Sequence, residues 1–106
     1  MAKQIDVTVQ VIGTAIELVG KGGNAHLKLK DQMRWHIDDT TKPFTLTFSD
    51  LDSNDEAKPF GTATIGPTTD TRWLTVTDSD STYCKYVVSI NGCRPLDPII
   101  IVDKSR

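Results

Sequence analysis

The chain has 106 residues, of which 12 are basic and 14 acidic, for a net charge of -2. This length suffices for one buried core and is too short for a second substrate domain, so we expect one domain over residues 1–106. The balanced charge gives no electrostatic reason to bind nucleic acid. Because no apolar stretch approaches the roughly 20 residues of a membrane span and the start lacks a signal-peptide core, the sequence predicts a cytoplasmic protein with no membrane partner.

Period-two alternation of apolar and polar residues runs along most of the chain and is typical of half-buried strands. Turn signals rich in glycine, proline, asparagine and aspartate separate the alternating segments. Trp35-His36-Ile37 either continues the third predicted strand or begins another. The predicted strands are residues 5–11, 14–19, 26–30, 43–48, 60–65, 72–77, 82–90 and 99–102.

Because no segment of useful length shows the 3.6-residue period of a helix, the sequence predicts an all-β fold. Many short strands in a chain of this length are typical of a two-sheet β-sandwich. Asn91-Gly92 is the strongest hairpin-turn signal and joins residues 82–90 to the segment that leads into the last strand. Trp35 and Trp73 are expected to pack in the core or on a sheet face rather than to form a binding platform.

The dipeptide Asp97-Pro98, which directly precedes the apolar residues 99–102, carries the strongest chemical signal. The Asp97 carboxyl group is within reach of its own main-chain carbonyl carbon, so it can attack through a five-membered anhydride without an outside nucleophile. Pro98 has no amide hydrogen, which blocks the competing attack on the Asp97 side chain, and its nitrogen is a basic leaving group. Well-oriented neighbouring groups lower a barrier by about 7 to 11 kcal/mol. Asp-Pro is also a common turn opener, and a plain strand entry is the alternative.

The Asn91-Gly92 turn predicts a partner for this dipeptide. With these two residues at the tip of a hairpin, Asp97 lies across from Tyr86. The Tyr86 phenol would then touch the Asp97 carboxyl. Either a protonated Asp97, favoured by an apolar site, passes its proton to the Pro98 nitrogen, or Tyr86 stabilises charge on the carbonyl oxygen. Because the prolines of this segment lack ladder donors, a bulge or bend between Cys93 and Asp97 is also expected, and it would change the facing residue.

The remaining chemical patterns predict no cofactor. The two histidines and two cysteines lack the paired spacing of a zinc site, and the acidic loop beginning at Asp50 lacks the glycine and glutamate positions of an EF-hand. No serine has the glycine-rich context of a strained nucleophile. Both cysteines are expected to be free thiols, because no export signal is present and the hairpin places them far apart. The histidines and cysteines are His26, His36, Cys84 and Cys93.

Three segments resemble the DP-EP family, small bacterial and phage-associated proteins named for an Asp-Pro or Glu-Pro dipeptide near their C terminus. The segments are RWLTVTD (72–78), YVVSING (86–92) and PLDPII (95–100), mainly in the last third of the chain. The resemblance implies an immunoglobulin-like sandwich that cuts itself at the dipeptide by chemistry described as aspartic-peptidase-like. Asp97 is then the acting acid and Pro98 the new N terminus. No motif identifies a second catalytic residue, and Asp70, Asp78 and Asp80 are candidates only by charge.

We therefore expect an all-β, immunoglobulin-like, two-sheet antiparallel β-sandwich that is a single-turnover, autocatalytic aspartic-type peptidase acting on its own polypeptide. Its catalytic residues are Asp97, Pro98 and Tyr86, and it needs no cofactor. The cut yields residues 1–97 and a nonapeptide, 98–106, retained as a strand. The alternative is a non-enzymatic binding or structural module, and a peptidase acting on other proteins has the least support. Sheet edges also leave a homo-oligomer open.

Overall fold

The computed structural model describes residues 3–77 and 83–103, which form nine strands and one short 3-10 helix, Lys21–Gly23. Within these ranges no helix is long and apolar enough to cross a membrane. Most of the strands coincide with segments in which apolar and polar residues alternate, and β6 and β7 are the exceptions described below. In chain order they are β1 (Gln4–Ile12), β2 (Ala15–Val19), β3 (Ala25–Lys28), β4 (Gln32–Ile37), β5 (Phe44–Asp50), β6 (Thr64–Thr68), β7 (Leu74–Thr75), β8 (Tyr83–Ile90) and β9 (Ile99–Asp103).

The strands form two sheets that pack against each other. One sheet has four strands in the order β2-β1-β4-β7, and the other has five in the order β3-β9-β8-β5-β6. Most neighbours are antiparallel, whereas β1 with β4 and β3 with β9 are parallel pairs. Parallel neighbours need a long crossover connection, and here the chain passes through the opposite sheet between the two members of each pair. The predicted all-β, two-sheet sandwich is confirmed.

Aromatic rings from both sheets fill the centre of the core. Trp35 of β4 is fully buried and meets Tyr86 of β8 edge-on, with ring centroids 5.2 Å apart. Phe48 and Phe60 lie 6.1 and 5.7 Å from Trp35, also edge-on. Such pairs contribute roughly 0.5–1.5 kcal/mol each beyond the burial of their area. Trp35 therefore packs in the core as expected, while Trp73 is 40% exposed beside β7.

The strands with the clearest alternation lie where the sequence predicts them. On β5, the three apolar residues of the predicted inward face are all buried, and on β8 every second residue is buried. β9 continues the pattern with Ile100 and Val102 fully buried. One continuous apolar layer thus runs across the five-stranded sheet. The inward residues of β5 and β8 are Phe44, Leu46, Phe48, Cys84, Tyr86, Val88 and Ile90.

The sixth strand lies later in the chain than predicted. The sequence indicates a strand over 60–65 that ends at Gly66-Pro67, but β6 begins at Thr64 and includes this dipeptide. β6 is an edge strand, where a proline need not donate to a ladder. Gly66 adopts φ +104, and a Cβ there would lie 2.6 Å from the Phe44 carbonyl oxygen. Glycine is required for this close approach, so the dipeptide belongs to the strand rather than ending it.

The seventh strand is much shorter than predicted. The alternation of residues 72–77 predicts a full strand, but only Leu74–Thr75 pair with β4. Arg72 adopts φ 59, a left-handed conformation that interrupts an extended segment. At the other end, the Val76 amide donates to the main-chain carbonyl of Asp31 at 2.8 Å, and Asp31 directly precedes β4, so this pairing lies beyond the start of β4.

Asp31 is the one buried charged residue of the described chain, and it ties the two sheets together. Its carboxylate accepts hydrogen bonds from the amides of Lys3 at 2.8 Å, before β1, and of Lys28 at 2.9 Å, at the end of β3. Desolvation by itself would raise the pKa of Asp31, but these two hydrogen bonds outweigh it and lower the pKa below its ordinary value of 3.8. The carboxylate therefore joins the start of the four-stranded sheet to an edge of the five-stranded one.

Candidate functional site

The Asp97-Pro98 dipeptide lies at the entry to β9, an internal strand between β3 and β8. Asp97 is exposed and Pro98 is buried. The next two residues repeat this alternation, because Ile99 is 38% exposed and Ile100 is fully buried. The extended geometry of β9 thus reaches back to the dipeptide, with the Asp97 side chain on the outer face of the sheet and the Pro98 ring on its core face.

The register against β8 differs by one residue from the predicted one. Tyr86 lies opposite Pro98, and its amide donates to the Pro98 carbonyl at 3.0 Å. One step away, Val88 is paired with Leu96. The predicted position of Tyr86 opposite Asp97 is therefore wrong. Because successive residues of a strand point to opposite faces, this shift turns the Asp97 side chain away from the face that carries the Tyr86 ring.

One extra residue after the hairpin turn causes the shift. The turn forms as predicted around Asn91-Gly92, with the Cys93 amide donating to the Ile90 carbonyl at 3.0 Å. The next amide, that of Arg94, leaves the hairpin and donates to the Thr14 carbonyl in the β1–β2 turn at 2.9 Å. The expected bulge or bend after Cys93 is thus confirmed, and it moves every later residue by one position.

The Tyr86 hydroxyl is committed to the core. It donates a hydrogen bond to the Gly23 carbonyl and accepts one from Trp35 Nε1 at 3.2 Å. Burial raises the pKa of Tyr86 and outweighs the opposing effect of the Trp35 hydrogen bond. Gly23, at φ +83, leaves room for this arrangement, since a Cβ there would lie 2.6 Å from Tyr86 Oη and 3.1 Å from Pro98 Cγ. The phenol therefore binds Gly23, which lies next to Pro98, and does not face the Asp97 carboxyl.

Hydrogen bonds hold the main chain on both sides of the dipeptide. Leu96 exchanges two with Val88, at 2.7 and 3.2 Å. Beyond the dipeptide, the Ile99 amide donates to Asn24 Oδ1 at 2.8 Å. Asp97 lies between the paired positions, so the alternation of an antiparallel ladder turns its amide and carbonyl away from β8. Pairing with β3 begins only after Ile99. The Asp97 carbonyl carbon, at which a cut would begin, is thus outside both ladders.

The outer face around Asp97 combines apolar and basic side chains. The register places Val87 opposite Asp97 and Lys85 two residues further along the same face. Ile99 and Tyr83, 38% and 48% exposed, extend the apolar part. The Asp97 carboxyl group lies on this open face, in reach of water. The Asp97 side chain is thus not in the apolar site expected from the sequence, because the one-residue shift places it on the outer face instead of the core face.

None of the acids considered as a second catalytic residue is described beside the dipeptide. Asp70 bridges to His36 of β4, on the other sheet. Its carboxylate accepts hydrogen bonds from the Arg34 guanidinium at 2.8 and 3.1 Å, and this pairing lowers the pKa of Asp70 to about 2. Asp70 is therefore part of a surface ion pair. Asp78 and Asp80 lie outside the described residues.

The residues considered for metal binding lie in different parts of the structure. Among residues 3–77 and 83–103, no three His, Cys, Asp or Glu side chains are grouped so that they could hold a metal ion. Cys84 is buried in the core and Cys93 lies at the hairpin turn, and the two do not form a disulfide, as expected. His26 is exposed on β3, whereas His36 lies on β4 in the other sheet.

A polar cluster on the outer face of the four-stranded sheet is missing from the sequence-based predictions. His36 lies 3.1 Å from Asp6 through Nδ1 and 3.3 Å from Thr8 through Nε2. The alternation of β1 already indicates that Asp6 and Thr8 share a polar face. What brings His36 to them is the parallel pairing of β1 with β4, and the sequence carries no local signal for that pairing.

Comparison with known proteins leaves the chain without an assigned relative. A scan against models of known protein families and a search of curated proteins each found no match. The resemblance to the DP-EP family, and the activity that it implies, therefore stay predictions.

Proposed function

We propose that the protein is a single-turnover, self-processing peptidase of the aspartic type that cuts its own Asp97-Pro98 bond. The observation that carries the proposal is the position of this bond. Residues on both sides are fixed by hydrogen bonds to Val88, Tyr86 and Asn24, while the Asp97 carbonyl is outside the ladders and its carboxyl is exposed. The Asp97 main-chain carbonyl carbon is thus positioned by its neighbours and remains accessible to the Asp97 carboxyl group and to water.

The proposed step needs no group beyond the dipeptide and solvent. A carboxylate oxygen of Asp97 attacks the Asp97 main-chain carbonyl carbon and forms a cyclic anhydride as the bond to the Pro98 nitrogen breaks. The nitrogen leaves as a secondary amine and takes a proton from solvent. Water then opens the anhydride, which restores the side-chain carboxylate and gives residue 97 a terminal carboxylate. One water molecule is consumed in each cut.

The geometry favours solvent rather than Tyr86 as the proton source. The Tyr86 hydroxyl donates to Gly23 inside the core, and its raised pKa makes it a weaker acid than a free phenol. Because the leaving Pro98 nitrogen must be protonated while the attacking group is an ionised carboxylate, we expect cutting to accelerate as the pH falls below neutral only for as long as the carboxylate persists. Tyr86, proposed from the sequence as a catalytic residue, is better placed as a positioning residue that supports Pro98 through its amide.

The nonapeptide should remain bound after a cut. β9 lies between β3 and β8, and Ile100 and Val102 are fully buried. Burying each such side chain contributes roughly 1.5–3 kcal/mol, in addition to ladder hydrogen bonds on both sides of the strand. A cut chain is therefore expected to keep its size and fold in native buffers, so that cutting is detected only after unfolding.

The test is intact-mass analysis of unfolded protein after timed incubation at neutral pH. We expect the full chain to be replaced by two fragments, 1–97 and 98–106, whose masses add up to that of the chain plus one water. Asp97→Asn should stop the conversion. Asp-Pro bonds also break without a fold, so chain kept unfolded in guanidinium at the same pH and temperature serves as the control. It should cut more slowly than the folded protein, because its dipeptide is not held in place. Uncut wild-type chain, or equal rates in folded and unfolded protein, would contradict the proposal.

A matched control comes from the same hairpin. Arg94→Asp creates a second Asp-Pro bond three residues earlier, at Pro95, in a segment that is held by the β1–β2 turn rather than by β8. Both bonds should break at similar rates in the unfolded chain. In the folded variant, only the bond at Asp97 is expected to break at an increased rate, and faster breakage at both bonds would refute a role for the geometry of the dipeptide.

A second candidate is a non-enzymatic binding or structural module, in which the dipeptide only shapes the entry to β9. The exposure of Asp97 and the commitment of Tyr86 to the core favour it. This candidate predicts no time-dependent change in mass. Asp97→Asn should then leave the mass unchanged and alter stability by less than about 0.5 kcal/mol, as is usual for exposed positions.

A further inference from the structure

A carboxylate and a hydroxyl contact the two nitrogens of one imidazole on the outer face of the four-stranded sheet. His36 Nδ1 is 3.1 Å from Asp6 Oδ1, and His36 Nε2 is 3.3 Å from Thr8 Oγ1. A base within hydrogen-bond distance of a hydroxyl, and itself oriented by a third group, is the arrangement that activates nucleophiles in hydrolases and acyltransferases. We infer that Thr8 is a nucleophilic residue that accepts acyl groups from activated esters, with His36 as its base and Asp6 as the orienting carboxylate.

The proton positions follow from the partners. An ionised carboxylate can only accept, so the hydrogen of neutral His36 must be on Nδ1, from which it is donated to Asp6. Nε2 then has a free lone pair and accepts the hydrogen bond from the Thr8 hydroxyl. Asp6 thus fixes the tautomer in which the imidazole can take the proton of Thr8. In the other tautomer, with the hydrogen on Nε2, the imidazole would donate to Thr8 and the hydroxyl would have no base.

Regular strand pairing holds the three groups in place. β1 and β4 are parallel neighbours in which Thr8 lies beside His36 and Asp6 beside Arg34. On the other side of Thr8, β2 places Val19 opposite it, with 48% of that residue exposed. The hydroxyl therefore has a base on one side and an apolar surface on the other, which suits an acyl group with a short apolar chain. His36 is itself accessible, with 20% of its side chain exposed.

The reaction is an acyl transfer. Thr8 Oγ1 attacks the ester carbonyl carbon, its proton passes to His36 Nε2, and the bond to the leaving alkoxide or phenolate breaks. The acyl group is then held on Thr8 as an ester, and His36 releases its proton to the leaving group or to water. The internal strand β1 uses its amides in ladders with β2 and β4, so β1 itself offers no free pair of main-chain amides beside Thr8 for the oxyanion. We therefore expect slow, stoichiometric acylation of activated esters rather than rapid turnover.

The experiment treats the full chain with p-nitrophenyl acetate and maps the acetyl groups by peptide mass spectrometry. Asp97→Asn protein is treated in parallel, so that self-cutting cannot affect the result. Threonine esters are removed by hydroxylamine whereas lysine amides are stable, which separates labelling of Thr8 from background. We expect hydroxylamine-sensitive acetyl on Thr8, reduced about tenfold or more in His36→Gln, as expected for loss of a general base. Asp6→Asn should reduce it as well.

Two variants keep the test interpretable. Thr8→Ser preserves the hydroxyl and should be labelled at least as fast, while Thr8→Val keeps the shape and should lose the label with an unchanged thermal midpoint. His26→Gln, on the other sheet, should leave labelling of Thr8 unchanged. Acetyl found only on lysines, or labelling of Thr8 that is equal in wild type and His36→Gln, would overturn the inference. Neither outcome depends on whether the Asp97-Pro98 bond is cut.

Discussion

Replacing Tyr86 by phenylalanine separates the structural role of the phenol from a chemical one. The substitution keeps the ring in the core but removes the oxygen that joins the Gly23 carbonyl to Trp35 Nε1. Two buried polar groups then lose their partner, and each unsatisfied group costs about 1–3 kcal/mol. Since the structure can relax in part, we expect the free energy of unfolding to fall by about 2–4 kcal/mol, which lowers the thermal midpoint by roughly 10–20 °C in a domain of this size.

The assay is guanidinium unfolding followed by tryptophan fluorescence, with Tyr83→Phe as the matched control. Tyr83 is 48% exposed at the start of the same strand, so its loss should change stability by less than about 0.5 kcal/mol. Intact-mass analysis of the same samples should give equal rates of cutting at Asp97 in folded wild type and folded Tyr86→Phe. An unchanged stability would refute the hydrogen-bond assignment. A folded variant that no longer cuts would show that the phenol takes part in the chemistry.

Two further substitutions test the supports of the sandwich. Asp31→Asn replaces one of the two carboxylate oxygens, each of which accepts an amide hydrogen bond, by an NH2 group that cannot accept, and should cost about 1–3 kcal/mol at neutral pH. The exposed Asp52→Asn should cost almost nothing. Because the folded pKa of Asp31 is below 3.8, its contribution to stability is complete above that value and is lost as the pH falls through the folded pKa. The difference in stability between wild type and Asp31→Asn should therefore shrink in acid. Urea unfolding at several pH values measures this difference. Gly23→Ala should destabilise the protein by several kcal/mol more than Gly13→Ala. Both glycines have positive φ, but only at Gly23 would an added Cβ lie within 4 Å of other atoms. Equal shifts of the thermal midpoint in the two variants would refute the close packing.

The parts of the fold that alternation determines could be predicted, and the parts that depend on distant pairing could not. The inward faces of β5 and β8 follow from period-two patterns, and so does the Asn91-Gly92 turn. The site was missed by one residue, because the Arg94 amide pairs with Thr14, which is remote in sequence, instead of continuing the hairpin. A local pattern cannot indicate such a partner, yet this single bond decides which face the Asp97 side chain occupies.

The same reason explains why the cluster at Thr8 was not predicted. His36 is 28 residues from Thr8 and 30 from Asp6 in the chain, and it meets them only because β1 and β4 are parallel neighbours. Parallel strands are joined by long crossovers, so no turn sequence indicates their register. The left-handed conformation of Arg72, which shortens β7, was equally invisible to a reading of propensities, because arginine carries no preference for it.

The internal position of β9 changes the thermodynamics of any chain broken at Asp97-Pro98. Such a protein would unfold into two molecules instead of one, since Ile100 and Val102 leave the interior together with the short segment. Refolding would then become a second-order reaction, and dilution would lower the midpoint of unfolding in a way that the unbroken chain does not share. Dependence of the melting temperature on protein concentration would thus report the covalent state of a bond that size and shape in native buffer conceal.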